Sequence, residues 1–245
     1  MTAVLPRPSA LRIPTPRMPI EPITRSTPAV AYQRVLHQTV RRELRLLAGL
    51  ASWAPADDAV RTAEITGHAD LVARVLLQHH ATERELLWPA LFRSLPDPEA
   101  FRDVVGEWTS RTALLDHHLR DLSTVARQWA VACTPPARDA FVRACTRLAD
   151  AVDAATAVEE RLLLPLVSRY LPDGEWTAIT RRATTTLSGR EQMLVLGLAL
   201  EDACALDRAR LLAGLSPAAR TAWRVFGRRD FHAAVVRLRG APPAA

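Results

Sequence analysis

The sequence predicts an all-α protein, and three of its features lead to this prediction. Glycine is rare, with 9 residues in a chain of 245, and clusters of β-branched residues are few. Long stretches are rich in alanine, leucine, arginine and glutamate, most of which favour helices. Apolar residues recur in these stretches at helical intervals, and prolines stand where the pattern stops. We therefore expect long amphipathic helices joined by short turns.

Four such helices can be placed in order along the chain. The first is expected at about residues 29–53, where Pro55 ends it and Asp57 or Asp58 can cap the next helix. The others are expected at about 58–95, 99–132 and 137–170, each ended by a turn that contains proline. Short turns make consecutive helices pack side by side in opposite directions, so the predicted fold is an antiparallel up-down-up-down four-helix bundle.

Two further segments flank the predicted bundle of residues 29–171. Residues 1–28 contain seven prolines and almost no periodic pattern, which is typical of a disordered or polyproline II leader. Residues 172–245 contain shorter helical patterns, and the run from Met193 to Leu200 is nearly all apolar. This last segment is therefore expected to pack on the bundle as a helical C-terminal extension.

Composition and charge argue against several classes of protein. No apolar run approaches the roughly 18 residues that cross a bilayer, so we expect no membrane association. The three cysteines form no CxxC pair, which argues against a disulfide framework and favours the cytoplasm. The formal net charge is +6, but every basic residue is an arginine dispersed among acidic residues, so we expect no nucleic-acid binding. No nucleophile, general acid or phosphate loop indicates a hydrolase or transferase.

The stretch LLQHHATERELLWPAL, residues 76–91, carries the clearest chemical pattern. His79 and Glu83 are four residues apart, so on a helix both side chains lie on one face and can converge on one cation. Apolar residues around them indicate that this face turns to a core, where an unpaired carboxylate is costly. Two interpretations remain open from the residues alone. One is a metal site, and the other is a core histidine with Glu83 paired to an arginine such as Arg41.

A second segment repeats part of this pattern. When Pro89 is aligned with Pro165, HHATERELLWPAL lies over ATAVEERLLLPLV. Glu83 then falls on Glu159, so two helices present equivalent carboxylates at the same depth. The histidine is not matched, because His79 falls on Ala155.

Several motifs in the same order resemble those of the hemerythrin-like HHE cation-binding proteins. They are VLHQTVRREL in the first helix, HHxxExxLLWP in the second, DHH in the third and EExxLLLP in the fourth. The C-terminal part is also similar to the tail of an actinobacterial-type subgroup of this family. The resemblance implies a four-helix bundle that holds a non-heme di-iron centre.

The resemblance also implies metal ligands. Those of the first, second and fourth helices are His37, His79, Glu83 and Glu159. In the third helix His117 and His118 compete for one ligand position, and spacing favours His118, which shares a stripe with Leu115 and Leu122. Ala155 stands where the family has a fourth-helix histidine, which predicts closer to one iron than two.

The implied function is that of a non-heme iron protein that binds or senses O2, peroxide or NO. Binding or sensing is expected rather than catalysis, with consumption of peroxide as the enzymatic alternative. The competing function is that of a metal-free bundle that acts as an interaction or scaffold protein. The resemblance implies no particular protein partner.

Overall fold

The computed structural model describes residues 26–243, and every regular element among them is helical. The predicted all-α fold class is therefore confirmed. The leader predicted for residues 1–28 lies outside the described residues, except for Ser26, Thr27 and Pro28. None of the described helices is both long enough and apolar enough to cross a membrane.

Four long helical segments form the bundle, and two of them consist of consecutive helices. They are α1 (Pro28–Trp53), α2 (Ala59–Thr82) with α3 (Trp88–Ser94), α4 (Arg102–Ala132), and α5 (Pro135–Leu162) with α6 (Leu164–Tyr170). Helix α1 packs on α2 and on α5, and α4 packs on the same two helices, so the segments close a ring. The short connections favour an antiparallel arrangement of consecutive segments.

Capping residues and prolines set the ends of these segments. Thr27 caps α1 by accepting a hydrogen bond from the Val30 amide at 3.3 Å. Asp58 caps α2 by accepting one from the Arg61 amide at 2.9 Å. Pro135 is the first residue of α5. A backbone N–H at this position would have no partner within the helix, so its absence costs no hydrogen bond. The sequence pattern therefore places the ends of the bundle segments to within a few residues.

The second and fourth segments are interrupted next to their aligned glutamates. A π-helical turn, Glu83–Leu87, separates α2 from α3, and Leu163 alone separates α5 from α6. Pro89 and Pro165 account for both interruptions, because each lacks a helical N–H and its ring clashes with the carbonyl four residues earlier. The internal similarity of the sequence therefore has a counterpart in the backbone.

A polar layer separates two apolar cores inside the bundle. One core ends at Leu76 along α2, and the other begins at Leu87. In α4 the boundary lies between Trp108 and Leu115. The layer between the cores contains buried polar side chains from all four segments, namely Gln33, His37, His79, Glu83, Thr112, Thr156 and Glu159.

Up to residue 243, where the description ends, the C-terminal extension contains five shorter α-helices. They are α7 (Asp173–Arg182), α8 (Gly189–Glu201), α9 (Ala205–Gly214), α10 (Pro217–Ala222) and α11 (Arg228–Arg239). Helices α7, α8 and α9 contact α1, and α11 packs on α8. A Cβ atom at Gly197 in α8 would clash with the Phe231 ring in α11. This glycine therefore permits the close approach of the two helices.

A network of buried charges joins α1 to the extension. The Glu43 side chain in α1 accepts hydrogen bonds from Arg42 Nε at 2.8 Å, His68 Nε2 at 2.8 Å and Arg239 Nη2 at 2.9 Å. Arg239 also donates to Glu201, at 2.6 Å. The ends of α8 and α11 are thus tied to the middle of α1 by ion pairs.

Candidate metal centre

Four buried side chains meet in the polar layer, and they come from three of the four helical segments. They are His37, His79, Glu83 and Glu159, each with a ligand atom within 4.8 Å of those of the others. His79 and Glu83 are neighbours through their four-residue spacing on the α2 segment. His37 and Glu159 reach the same place from α1 and α5.

The distances inside this cluster suit a single cation. The Nε2 atoms of His37 and His79 are 3.3 Å apart. Glu83 Oε1 lies 3.3 Å from His79 Nε2, and Glu159 Oε1 lies 3.4 Å from His37 Nε2. Ligands that hold an ion at about 2.1 Å lie roughly 3.0 to 3.5 Å from one another. Two imidazoles and two carboxylates are a donor set that suits iron or manganese.

The electrostatics of the two carboxylates favour a bound cation. Burial raises the pKa of Glu83 well above its ordinary 4.5, and the negative charge of Glu159 raises it further. Gln33 donates a hydrogen bond to Glu83 Oε1 at 2.6 Å. Glu83 Oε2 and Glu159 Oε1 are nevertheless buried without a hydrogen-bond partner among the described residues. Buried atoms of this kind are rare unless an ion or water satisfies them.

Arg41, the alternative partner considered for Glu83, is engaged elsewhere. Its Nε donates to the Thr156 hydroxyl at 2.8 Å. Its guanidinium also pairs with Glu160 at 3.1 Å and with Asp153 at 3.5 Å. Within residues 26–243 no arginine is paired with Glu83, so the geometry does not support the purely structural interpretation of this carboxylate.

Glu160 fixes the orientation of His37. A carboxylate only accepts hydrogen bonds, so His37 Nδ1–H donates to Glu160 Oε1, at 3.0 Å. In this tautomer of the imidazole the metal-binding lone pair is on the other ring nitrogen, Nε2, which faces the cluster. The sequence did not predict this role of Glu160. No spacing within the helix indicates this role, because it depends on how α1 packs against α5.

We expect Glu160→Gln to weaken metal binding by about 10- to 100-fold, because the neutral amide holds His37 less firmly in its metal-binding tautomer. Competition against a chromophoric chelator measures this affinity. Glu85→Gln is the matched control, since the Glu85 side chain is 68% exposed and lies outside the cluster. Equal affinities for the two variants would show that other contacts orient His37.

His79 is held in the form that binds metals. Burial lowers the pKa of His79 well below 6.5, and the neighbouring His37 and His80 lower it further. The imidazole is therefore neutral at neutral pH, as a metal ligand must be. His80 is also buried, but its Nδ1–H donates to Asp116 at 3.1 Å and its ring is not part of the cluster.

Neither His117 nor His118 belongs to the cluster. His117 is exposed and His118 is half-buried. The buried stripe of α4 passes through Thr112, Leu115 and Leu119, so His118 lies one position beside the stripe that was predicted to contain it. At the level of the cluster α4 presents Thr112. His118 is six positions further along the helix, which is about 9 Å. The structure therefore does not place His118 in the cavity with the other predicted ligands.

A small cavity of about 20 Å³ adjoins the cluster on the side of α4. Glu159 and His79 line it together with Trp108, Leu115 and Ala155. A space of this size holds about one water-sized molecule. Ala155 lies one turn before Glu159 and faces this cavity, so the position that lacks the histidine is filled by a methyl group.

Comparison with known protein families identifies the family to which residues 29–167 belong. The family model described as Hemerythrin HHE cation binding domain matches residues 29–167, which is more than half of the 245-residue chain. The matched region contains all four residues of the cluster. No match was found among curated proteins or among solved structures.

Proposed function

We propose that this chain, which belongs to the hemerythrin HHE cation binding domain family, binds one iron ion between His37, His79, Glu83 and Glu159. The observation that supports this most strongly is the pair of facing, buried carboxylates with no arginine to neutralise them in the described part of the chain. A divalent cation supplies the missing positive charge and satisfies both unpartnered oxygens. The donor set suits iron or manganese, and iron is proposed because it is typical of hemerythrin-type domains.

One ion is expected rather than two. A second ion on the α4 side could share Glu83 and Glu159, but it would face Ala155 and Thr112 in place of imidazoles. The Thr112 hydroxyl already donates to the Trp108 carbonyl. Too few donors remain for a second tight site.

The small cavity is the place that we propose for a diatomic or peroxide ligand. A bound iron supplies electrons and an open coordination position to such a ligand. Val104, Trp108 and Leu115 line the cavity and exclude bulk water from it. Arg111 also lines it, and its buried Nε has no hydrogen-bond partner among the described residues. A donor in this position stabilises a ligand that carries negative charge.

Binding or sensing, rather than multi-step catalysis, is the activity we propose for this centre. The three cysteines are all free thiols, which supports a reducing cytoplasm as its location. We expect no nucleic-acid complex, because several arginines of the bundle and extension form ion pairs with carboxylates and the others are dispersed among acidic residues.

Metal analysis tests the proposed stoichiometry. Protein purified with iron present is expected to hold close to one iron per chain. Ala155→His should raise that number toward two, because the new imidazole enters the cavity beside Glu159 and adds a ligand for a second ion. Ala154→His is the matched control, since Ala154 is exposed and does not line the cavity.

Two outcomes would contradict the proposal. Two irons in the unmodified chain would show that another group completes the second site. An absence of metal, together with a melting temperature that chelator leaves unchanged, would favour the interaction or scaffold function.

A further inference from the structure

A second and larger cavity, of about 480 Å³, lies between the bundle and the C-terminal extension. Its walls come from α1 and α2 on one side and from α7 to α10 on the other. The volume falls within the range of about 300 to 1,000 Å³ that is typical of pockets for small organic molecules. His79 lines this cavity as well as the small one, so the two spaces meet at a residue of the metal cluster.

The walls of this cavity are mainly apolar. Leu36 and Val75 line it from the bundle, and Met193, Leu196 and Leu211 line it from the extension. Protein interiors are packed about as densely as organic crystals, and an apolar gap of this size forfeits many contacts. An apolar occupant would recover them.

One buried donor of the lining has no hydrogen-bond partner among the described residues. Gln78 accepts a hydrogen bond from the Thr185 hydroxyl at 2.8 Å, and the Gln192 amide donates to the Leu187 carbonyl at 2.9 Å. Arg210 is the one arginine or acidic residue among the described residues of the lining. Its Nη1 is buried without a hydrogen-bond partner, and Asp207 Oδ1 is 3.6 Å away.

The charge of Arg210 is already balanced by Asp207, so the cavity has a spare N–H donor but little net charge. A ligand carboxylate would place a second anion near Asp207 in an apolar setting, which is unfavourable. An uncharged carbonyl oxygen satisfies the donor without that cost. We propose that this cavity binds an uncharged, apolar molecule with a carbonyl group, and that Arg210 donates a hydrogen bond to the carbonyl oxygen.

Calorimetric titration of the full chain with 2-decanone tests this assignment. One molecule per chain should bind, and decanoate should bind more weakly than the ketone. Arg210→Met keeps an apolar stem but removes the donor, so it should weaken ketone binding about ten-fold or more. Arg224→Met is the matched control, because Arg224 is exposed in the extension and outside the lining.

Ala199→Phe, which adds volume inside the lining, should reduce ketone binding most strongly. Iron content and melting temperature are measured on each variant, so that loss of the ketone site is distinguished from unfolding or from loss of the metal centre. The assignment is overturned if the folded full chain binds no ketone, if decanoate binds more tightly, or if Arg210→Met binds the ketone as the unmodified chain does.

Discussion

Replacing His79 with alanine is expected to abolish metal binding by the purified protein. His79 supplies one of the two imidazoles of the cluster, and its Nε2 lies 3.3 Å from both His37 Nε2 and Glu83 Oε1. Removing a residue that only orients a ligand typically costs 10- to 100-fold in affinity, so removing a ligand should cost more than about 100-fold. Iron content after dialysis should therefore fall from about one per chain to near zero.

The same variant should also lose the stabilisation that metal gives. A ligand that binds only the folded state raises the melting temperature by mass action. Iron added to the metal-free proteins should therefore raise the melting temperature of the unmodified chain and leave that of His79→Ala unchanged. His117→Ala is the control, because His117 is exposed and outside the cluster. Retention of iron by His79→Ala with equal affinity would refute the proposed ligand set.

The part of the cluster that depends on local spacing could be predicted from the residues alone. His79 and Glu83 share a helix face, and the alignment of Pro89 with Pro165 relates Glu83 to Glu159. His37 has no such pattern around it, and it was identified through the resemblance of several motifs together. The structure shows why this pair of carboxylates favours a cation, since Glu83 and Glu159 are both buried and repel each other.

Features that depend on which helix faces meet were harder to predict. His118 was assigned to the stripe of α4 that contains Leu115, but the buried residue of that turn is Leu119. A shift of one residue rotates a side chain by about 100°, which takes it from the interior to the flank of the helix. The roles of Gln33 and Glu160 likewise require the packing of α1 against other segments, and no spacing within one helix indicates them.

The charge network around Glu43 was also not predictable, for a similar reason. Glu43 and Arg239 are 196 residues apart in sequence, and nothing near either residue indicates the other. Prolines and periodicity predicted the helices of the bundle and an extension packed on it. They did not predict that the extension would be joined to the bundle by buried charges rather than by apolar contacts alone.

Glu43→Gln is expected to destabilise the folded chain by about 2 to 3 kcal/mol. Glu43 is fully buried, and its loss of charge leaves Arg42, Arg239 and His68 with a weaker, neutral acceptor. Arg42 and Arg239 both keep ion pairs with Glu201. The loss of stability should therefore be smaller than if a buried ion were left without any partner. Denaturant unfolding measures the difference in the free energy of unfolding. Arg45→Gln is the control, because the ion pairs of Arg45 are on the surface and should contribute little.

Lowering the pH should reveal the contribution of Glu43 to stability without a mutation. Burial alone would raise the pKa of Glu43, but the hydrogen bond from His68 and the positive charges of His68, Arg42 and Arg239 outweigh it and lower the pKa below 4.5. Since the pKa is lower in the folded than in the unfolded chain, Glu43 stabilises the fold above about pH 4.5, and this stabilisation is lost as the pH falls further. The free energy of unfolding should therefore decrease less steeply below pH 4.5 in Glu43→Gln than in the unmodified chain. Parallel pH profiles would show that protonation of Glu43 does not contribute to the loss of stability in acid.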